Sequence, residues 1–447
     1  MHKRLSLLFR SALYALRGGF LIRPLAIALF LGSAGAILSF AEEYVPDLNA
    51  WIPEVLFPAR QDPQVALTIL AGIASSIMTV VSIIFAILLM TLTLASTQFS
   101  PRILVSFVRD RNTQWTLGIF LGTFSFCMAA LPAVRSQPPP FVPVATVLTA
   151  MLLAVLCVGW LIFFINHISQ SISVNHIVDR IARETELVID ELMPHARGYP
   201  ELPEHAAPFR EAQQRSILSR RSGYIRFVDV DYLVECAKSY GVQIVLERRV
   251  GHFVPAGVPI MRVMESGRIT PEREDYLLSA LDIGPARTMQ QDVEFGIIQI
   301  VDIALRAISP AVNDPSTAIS CIDQLSRVLI RWASRAPPRG YLHRPPHVLR
   351  VVVPWIGFDG LLDTAFEQIR HYSRSDIAVS LRLIRAFDDI AGTGLPQQEQ
   401  QSLAGRARRV VEGCAVQLPE SDLLKLHRRL ARLEMRMAAR GVSGEAV

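Results

Sequence analysis

From residue 65 to residue 101 the chain carries no charged side chain. A helix needs only about 20 apolar residues to cross ~30 Å of hydrocarbon, so the apolar part of this stretch, residues 65–97, is longer than one crossing requires. It is expected to tilt or to continue as a helix beyond the bilayer. Three further runs qualify as spans, at 22–41, 115–134 and 141–165. The positive mean hydropathy of +0.33 fits a chain partly immersed in lipid. The first run is preceded by more than twenty amphipathic residues. It therefore reads as an uncleaved anchor rather than a signal peptide, although Ser39-Phe40-Ala41 resembles a cleavage site.

Charge sets the expected orientation. Lys3, Arg4, Arg10, Arg17 and Arg23 precede or open the first span. The next connection carries Glu42, Glu43, Asp47, Glu54 and Asp62 against one Arg60, and the one after it Arg102, Arg109 and Arg111. Basic connections stay in the cytoplasm, so both termini are expected there, with four crossings of a bacterial inner membrane. Gly118 and Gly122 form a GxxxG in the third span, suited to close helix packing within one bundle or between subunits. The second span is rich in hydroxyls, among them Ser75, Ser76, Thr79 and Ser82. These either line a polar path or bond to their own backbone carbonyls. No acidic ring or ionisable pair stands inside any span, which argues against a proton-coupled pump.

The expected organisation is a cytosolic segment 1–21, a four-helix transmembrane domain 22–165 and a helix 166–193 continuing from the fourth span. A linker 194–222, a small β-rich unit 223–265 and a mostly helical region 266–447 complete it. The fold class is thus membrane α-helical plus an α+β cytosolic region. The stretch Val250-Gly251-His252-Phe253-Val254-Pro255-Ala256-Gly257-Val258-Pro259-Ile260 resembles the barrel-sandwich of biotinyl and lipoyl carriers. Their modified lysine has no counterpart here, since nearby Lys238 lies in a stretch that reads as helix.

Ser100, Pro101 and Arg102 start a short helix that reaches about Arg109 and is expected at the membrane surface. Asp302 precedes Arg306 by four residues, a favourable order for a helical ion pair. Ser309-Pro310 ends that helix, and Asp314-Pro315 begins the next. Asp302, Arg306, Asn313 and Asp314 therefore form either a ligand or interface loop or a capped helix–loop–helix corner. Near the C-terminus Leu423, Leu426, Leu430, Leu433 and Met437 make a heptad stripe surrounded by basic residues. It serves packing on its own domain, a coiled coil, or a helix at the membrane surface.

The five cysteines are scattered, and no metal-ligand or disulfide spacing is present. No catalytic motif is found, so no enzyme activity and no cofactor is expected. No basic face interleaved with aromatics points to nucleic acid. The expected partners are the lipid bilayer, further copies of the chain in a homo-oligomer, and a cytosolic protein or small ligand. Two readings of function remain: an oligomeric channel- or transport-like protein with a regulatory cytosolic domain, or a non-transporting sensor or scaffold.

Gln98-Phe99-Ser100-Pro101-Arg102, Arg109-Asp110-Arg111 and Ser309-Pro310-Ala311-Val312-Asn313-Asp314-Pro315 resemble the bacterial predicted inner-membrane proteins of the domain of unknown function 2254 family. That resemblance spans nearly the whole chain. It implies a four-span inner-membrane protein and brings no activity or catalytic residue with it.

Overall fold

The computed structural model describes residues 22–45, 62–98, 111–137, 140–171, 173–197, 214–338, 340–344 and 348–444. The expected surface helix with Ser100, Pro101, Arg102 and Arg109 lies outside them. The chain divides into two compact units, Met1–Ser173 and Val174–Val447.

In the first unit, four helices are long and apolar enough to cross a membrane. They are α1 (Ile22–Tyr44), α2 (Pro63–Gln98), α3 (Arg111–Ala130) and α4 (Val144–Ser171). Helix α2 has 36 residues, about 54 Å at 1.5 Å per residue, and so exceeds the hydrocarbon thickness as its sequence suggests. α1 and α3 meet along a seam of small residues. A Cβ on Gly35 would stand 2.7 Å from the Phe126 carbonyl oxygen, and Gly32 faces Ser125. Gly118 and Gly122 face Ile27 and Leu31, each 2.5 Å from where a Cβ would sit. Both glycines of the GxxxG thus lie against a helix of the same chain, where the missing side chains let two backbones approach.

Polar ties join the helices. Trp160 Nε1 donates to Thr116 Oγ1 at 2.9 Å, and Asn112 pairs with His167 at 3.2 Å. Glu42 falls not in a loop but in the last turn of α1, and it is buried. Its carboxylate accepts from Ala145 N at 3.1 Å, from Thr146 N at 2.6 Å and from Thr146 Oγ1 at 2.7 Å. A helix start leaves N–H groups without partners, and here an acid from another helix meets them and the positive end of the α4 dipole.

The fourth span does not run on as one helix. α4 ends at Ser171, Ser173 is non-helical, and α5 (Val174–Leu192) begins anew. Ser173 stands just before the first residue of α5, a position that serine favours.

The second unit holds two open sheets and eight further helices among its described residues. The strands are β1 (Arg215–Leu218), β2 (Gly223–Val228), β3 (Gln243–Leu246), β4 (Phe253–Val254), β5 (Pro259–Met264), β6 (Leu281–Gly284), β7 (Tyr341–Arg344) and β8 (Val348–Val352). One sheet has the order β1-β5-β3-β8-β7, the other β4-β2-β6. No closed barrel is found among the described residues, and the strands do not form a self-contained unit at 223–265. β4 pairs with β2 while β5 pairs with β1 and β3, so the Val254–Pro259 turn passes from one sheet to the other. Gly257, at φ +81°, makes that turn possible. β1 comes from the stretch expected to be linker. β6 and β7 come from the region expected to be mostly helical, whereas β8 falls where residues 348–353 read as a strand; it joins β3 in parallel with Ile244 opposite Val351. Helix α6 (Val230–Tyr240) carries Lys238 and packs Leu233, Val234 and Ala237 into the core of this part.

The remaining helices are α7 (Pro271–Leu278), α8 (Val293–Ala307), α9 (Pro315–Ala333), α10 (Phe358–Tyr372), α11 (Ile377–Ala391), α12 (Gln397–Cys414) and α13 (Glu420–Gly444). Side chains cap several of them. Asp292, Asp314 and Asp376 each accept the N–H three residues on, which fixes where α8, α9 and α11 begin. Leu426 and Leu433 of the C-terminal heptad stripe are buried in the packing of α13.

Candidate functional site

The second span is where function is best sought in the membrane unit. Thr68, Gly72, Ser75, Thr79, Ser82, Ala86 and Thr93 succeed one another along α2 and all are exposed. From Thr68 to Ala86 the steps alternate four and three residues, so these positions form one stripe along the helix. Off the stripe α2 carries mostly Ile, Leu, Val, Met and Phe, with Ala71, Ala74, Ser76 and Thr91 among them. The hydroxyls donate to the carbonyl one turn back: Thr68 to Gln64 at 2.7 Å, Thr79 to Ser75 at 3.0 Å, Ser82 to Met78 at 3.0 Å and Thr93 to Leu89 at 2.8 Å. A hydroxyl bonded in this way still carries oxygen lone pairs that can accept from water or bind a cation. Beside the stripe, α2 and α4 leave an open apolar groove of about 640 Å³, floored by Phe120 and walled by Gly72, Ser76, Ile77, Val155 and Val158. Neither Gly72 nor Gly159 would meet any atom within 4 Å of an added Cβ.

The helix–loop–helix corner of the second unit is capped. Asp314 accepts from Thr317 N at 3.1 Å and from Thr317 Oγ1 at 2.6 Å. The Thr317 hydroxyl, with backbone N–H groups behind it, holds the Asp314 carboxyl below its usual range. Ser309 Oγ donates to the Arg306 carbonyl at 2.7 Å. Arg306 and Asn313 are exposed, Asp302 is half-buried, and Val312 projects beside them with 52% of its surface exposed. Asn313 adopts φ +49°, a left-handed conformation that asparagine tolerates. The carboxylate of Asp314 thus serves the start of α9, and the exposed tip offers Val312, Asn313 and Arg306.

Sequence reading missed a half-buried charge cluster of the second unit. Arg287 donates to Asp292 through Nε and Nη2, both at 2.7 Å, and to Glu294 at 2.8 Å. Arg249 grips Glu294 with two bonds of 3.0 Å, and Thr364 Oγ1 adds a third partner at 3.3 Å. Burial opposes the charged form of Glu294, but the two guanidinium groups outweigh it and hold its carboxyl below the ordinary value. Gly251 sits at φ +87°, and a Cβ there would lie 2.5 Å from Asp292 Oδ2. These residues come from the β3–β4 connection, the β6–α8 connection, α8 and α10, so the cluster ties the sheets to the helices. Each carboxylate oxygen has a donor, which suits a structural junction rather than a ligand site.

A second ionic array fixes α5. Arg327 of α9 reaches Glu186 at 2.6 Å and Asp179 at 2.8 Å, and Arg331 and Arg335 both reach Asp190. Among the described residues no group of three or more His, Cys, Asp and Glu side chains is placed to hold a metal ion.

Comparison with known proteins decides the family. Residues 17–389 match the model of DUF2254, described as a predicted membrane protein. The chain belongs to the DUF2254 family. DUF2254 relatives include the uncharacterized protein Rv1290c of Mycobacterium tuberculosis strain H37Rv, 32% identical over 389 residues, covering 86% of this chain and 73% of that protein. The uncharacterized protein Mb1321c of Mycobacterium bovis matches with the same identity and coverage. No solved structure matches this DUF2254 chain.

Proposed function

We propose that this DUF2254 protein self-associates in the bacterial inner membrane through the exposed stripe of α2 and forms a hydroxyl-lined transport path, with both termini and the second unit in the cytosol. The observation that carries this reading is the stripe itself. A helix that only faced lipid would gain from large apolar side chains throughout. α2 instead gives up that contact at Gly72, Ser75, Thr79 and Ser82 on one exposed side. Small residues allow close helix approach in lipid, and hydroxyls supply polar atoms without a charge. With no charge on the stripe, the reading favours a neutral or weakly selective path over a charge filter.

A second reading, a sensor or scaffold that transports nothing, is favoured by the exposed Val312–Asn313 tip, which suits a cytosolic partner. Cysteine cross-linking in native membranes and flux assays in liposomes separate the two. Ser75→Cys and Ser82→Cys are expected to form covalent dimers on oxidation, while Ile84→Cys, on the buried side, is not. The reconstituted protein is expected to pass small solutes or ions, and Thr79→Leu with Ser82→Leu to abolish the flux. Monomers in the membrane, together with flux equal to that of empty liposomes, would remove the transport reading.

A further inference from the structure

The C-terminal helix α13 has a second face that its own unit does not use. Leu426 and Leu433 are buried, and Leu423, Leu430 and Met437 lie partly buried on the same side. On the opposite side Leu424, Arg428, Ala431 and Met435 follow at steps of four, three and four residues, flanked by Lys425 and Arg432, and all six are exposed. Leu424 and Met435 are 51% and 63% exposed. The acids of this helix lie elsewhere or are engaged: Asp422 pairs with Lys425 at 2.7 Å, and Glu434 with Arg408 at 2.7 Å. Arg436 pairs with Asp388. Among the described residues Arg428 and Arg432 have no ion-pair partner.

We propose that this outward face of α13 binds the surface of an anionic phospholipid membrane. The chemistry fits that occupant at two levels. Unpaired guanidinium groups bond phosphate in forked geometry, and exposed Leu and Met between them enter the boundary of headgroup and acyl chain. A second copy of the same face would bring arginine against arginine. A nucleic acid would leave Leu424 and Met435 in water. The chain is anchored by four apolar helices, so the helix is tethered to a membrane at high effective concentration, and weak attraction suffices.

The test uses the full chain in nanodiscs, with Met435→Cys carrying an environment-sensitive fluorophore. The native cysteines among the described residues are buried, so labelling is selective. Three arms are compared: a zwitterionic disc, a disc rich in phosphatidylglycerol, and a zwitterionic disc given separate phosphatidylglycerol vesicles. A blue shift, with quenching by nitroxide-labelled lipid, is expected in at least one of the two anionic arms. It is expected to fade with salt. Arg428→Gln and Arg432→Gln are expected to weaken vesicle binding by roughly fivefold per arginine removed, with thermal unfolding in detergent unchanged. An unchanged signal in both anionic arms overturns the proposal. So does equal binding to vesicles lacking anionic lipid, or a blue shift produced by DNA or by Met435→Cys dimers instead of lipid.

Discussion

Glu294 shows what a single side chain contributes to the second unit. Its carboxylate, 13% exposed, is held by Arg249 and Arg287. Removing the charge leaves two guanidinium groups in a half-buried site without their acceptor, which typically costs about 3–5 kcal/mol. Glu294→Gln is therefore expected to lower the unfolding free energy by that amount near neutral pH, measured by denaturant titration. The pH dependence has a definite sign. The folded carboxyl sits below its unfolded value, so its stabilisation is complete above the unfolded value and disappears as pH falls through the folded one. Parent and variant should converge in acid and diverge as pH rises. A constant difference across that range would show that the loss comes from packing and not from charge. Nothing local in the sequence marks this cluster, because Arg249, Arg287 and Glu294 meet only after β3, β6 and α8 have been placed. Glu42 was hidden for another reason. A glutamate at the end of an apolar run reads as the first loop residue, and only the fold shows it meeting the α4 N-terminus.

Among the elements, the glycines of the membrane unit divide into two kinds that sequence cannot tell apart. Gly35 stands against the Phe126 carbonyl, a backbone atom that cannot swing aside, whereas Gly72 has open space around it. Gly35→Ala is expected to cost about 1–3 kcal/mol through overpacking of the α1–α3 seam, read as a lowered melting temperature in detergent. Gly72→Ala is expected to leave that temperature unchanged or raise it, since alanine favours a helix over glycine by about 1 kcal/mol. Equal losses at both sites would show that the seam is not what holds α1 to α3. The four apolar helices were legible because hydropathy is a local property. The sheets were not, because the parallel pairing of β3 with β8 joins residues about a hundred positions apart. Helix α12 was expected only as part of a mostly helical region, although Leu403, Ala407, Val410 and Cys414 repeat at helical spacing and are buried. Its small alanines and its many charges disguise the stripe, and the buried Arg406 bonding Asp359 and Asp363 looks like a surface residue until those partners arrive.

For the molecule as a whole, the distribution of charge along the chain makes the strongest demand. The connection between α1 and α2 holds Asp47, Glu54 and Asp62, and the connection between α2 and α3 holds Arg102 and Arg109. Arg60, in the α1–α2 connection, and Arg135, in the α3–α4 connection, are cations that weaken a positive-inside assignment; Arg60 is outnumbered by the acids around it. Arg135 pairs with Glu43 at the end of α1, at 3.0 Å. That pair puts the end of α1 and the α3–α4 connection on one side of the bundle, as an even number of alternating crossings requires. It also leaves little net charge there to oppose export. On the orientation proposed above, the basic α2–α3 connection is expected on the inner side with both termini. The prediction can be checked with cysteines introduced at Ala50 and Ala446 and a membrane-impermeant maleimide, against the low background of the buried native cysteines. In intact spheroplasts Ala50→Cys is expected to react, and Ala446→Cys only after the membrane is permeabilised. The opposite pattern would place the arginines of α13 outside the cell, away from any cytoplasmic leaflet. Both the orientation and the assignment of the second unit to the cytosol would then have to be abandoned.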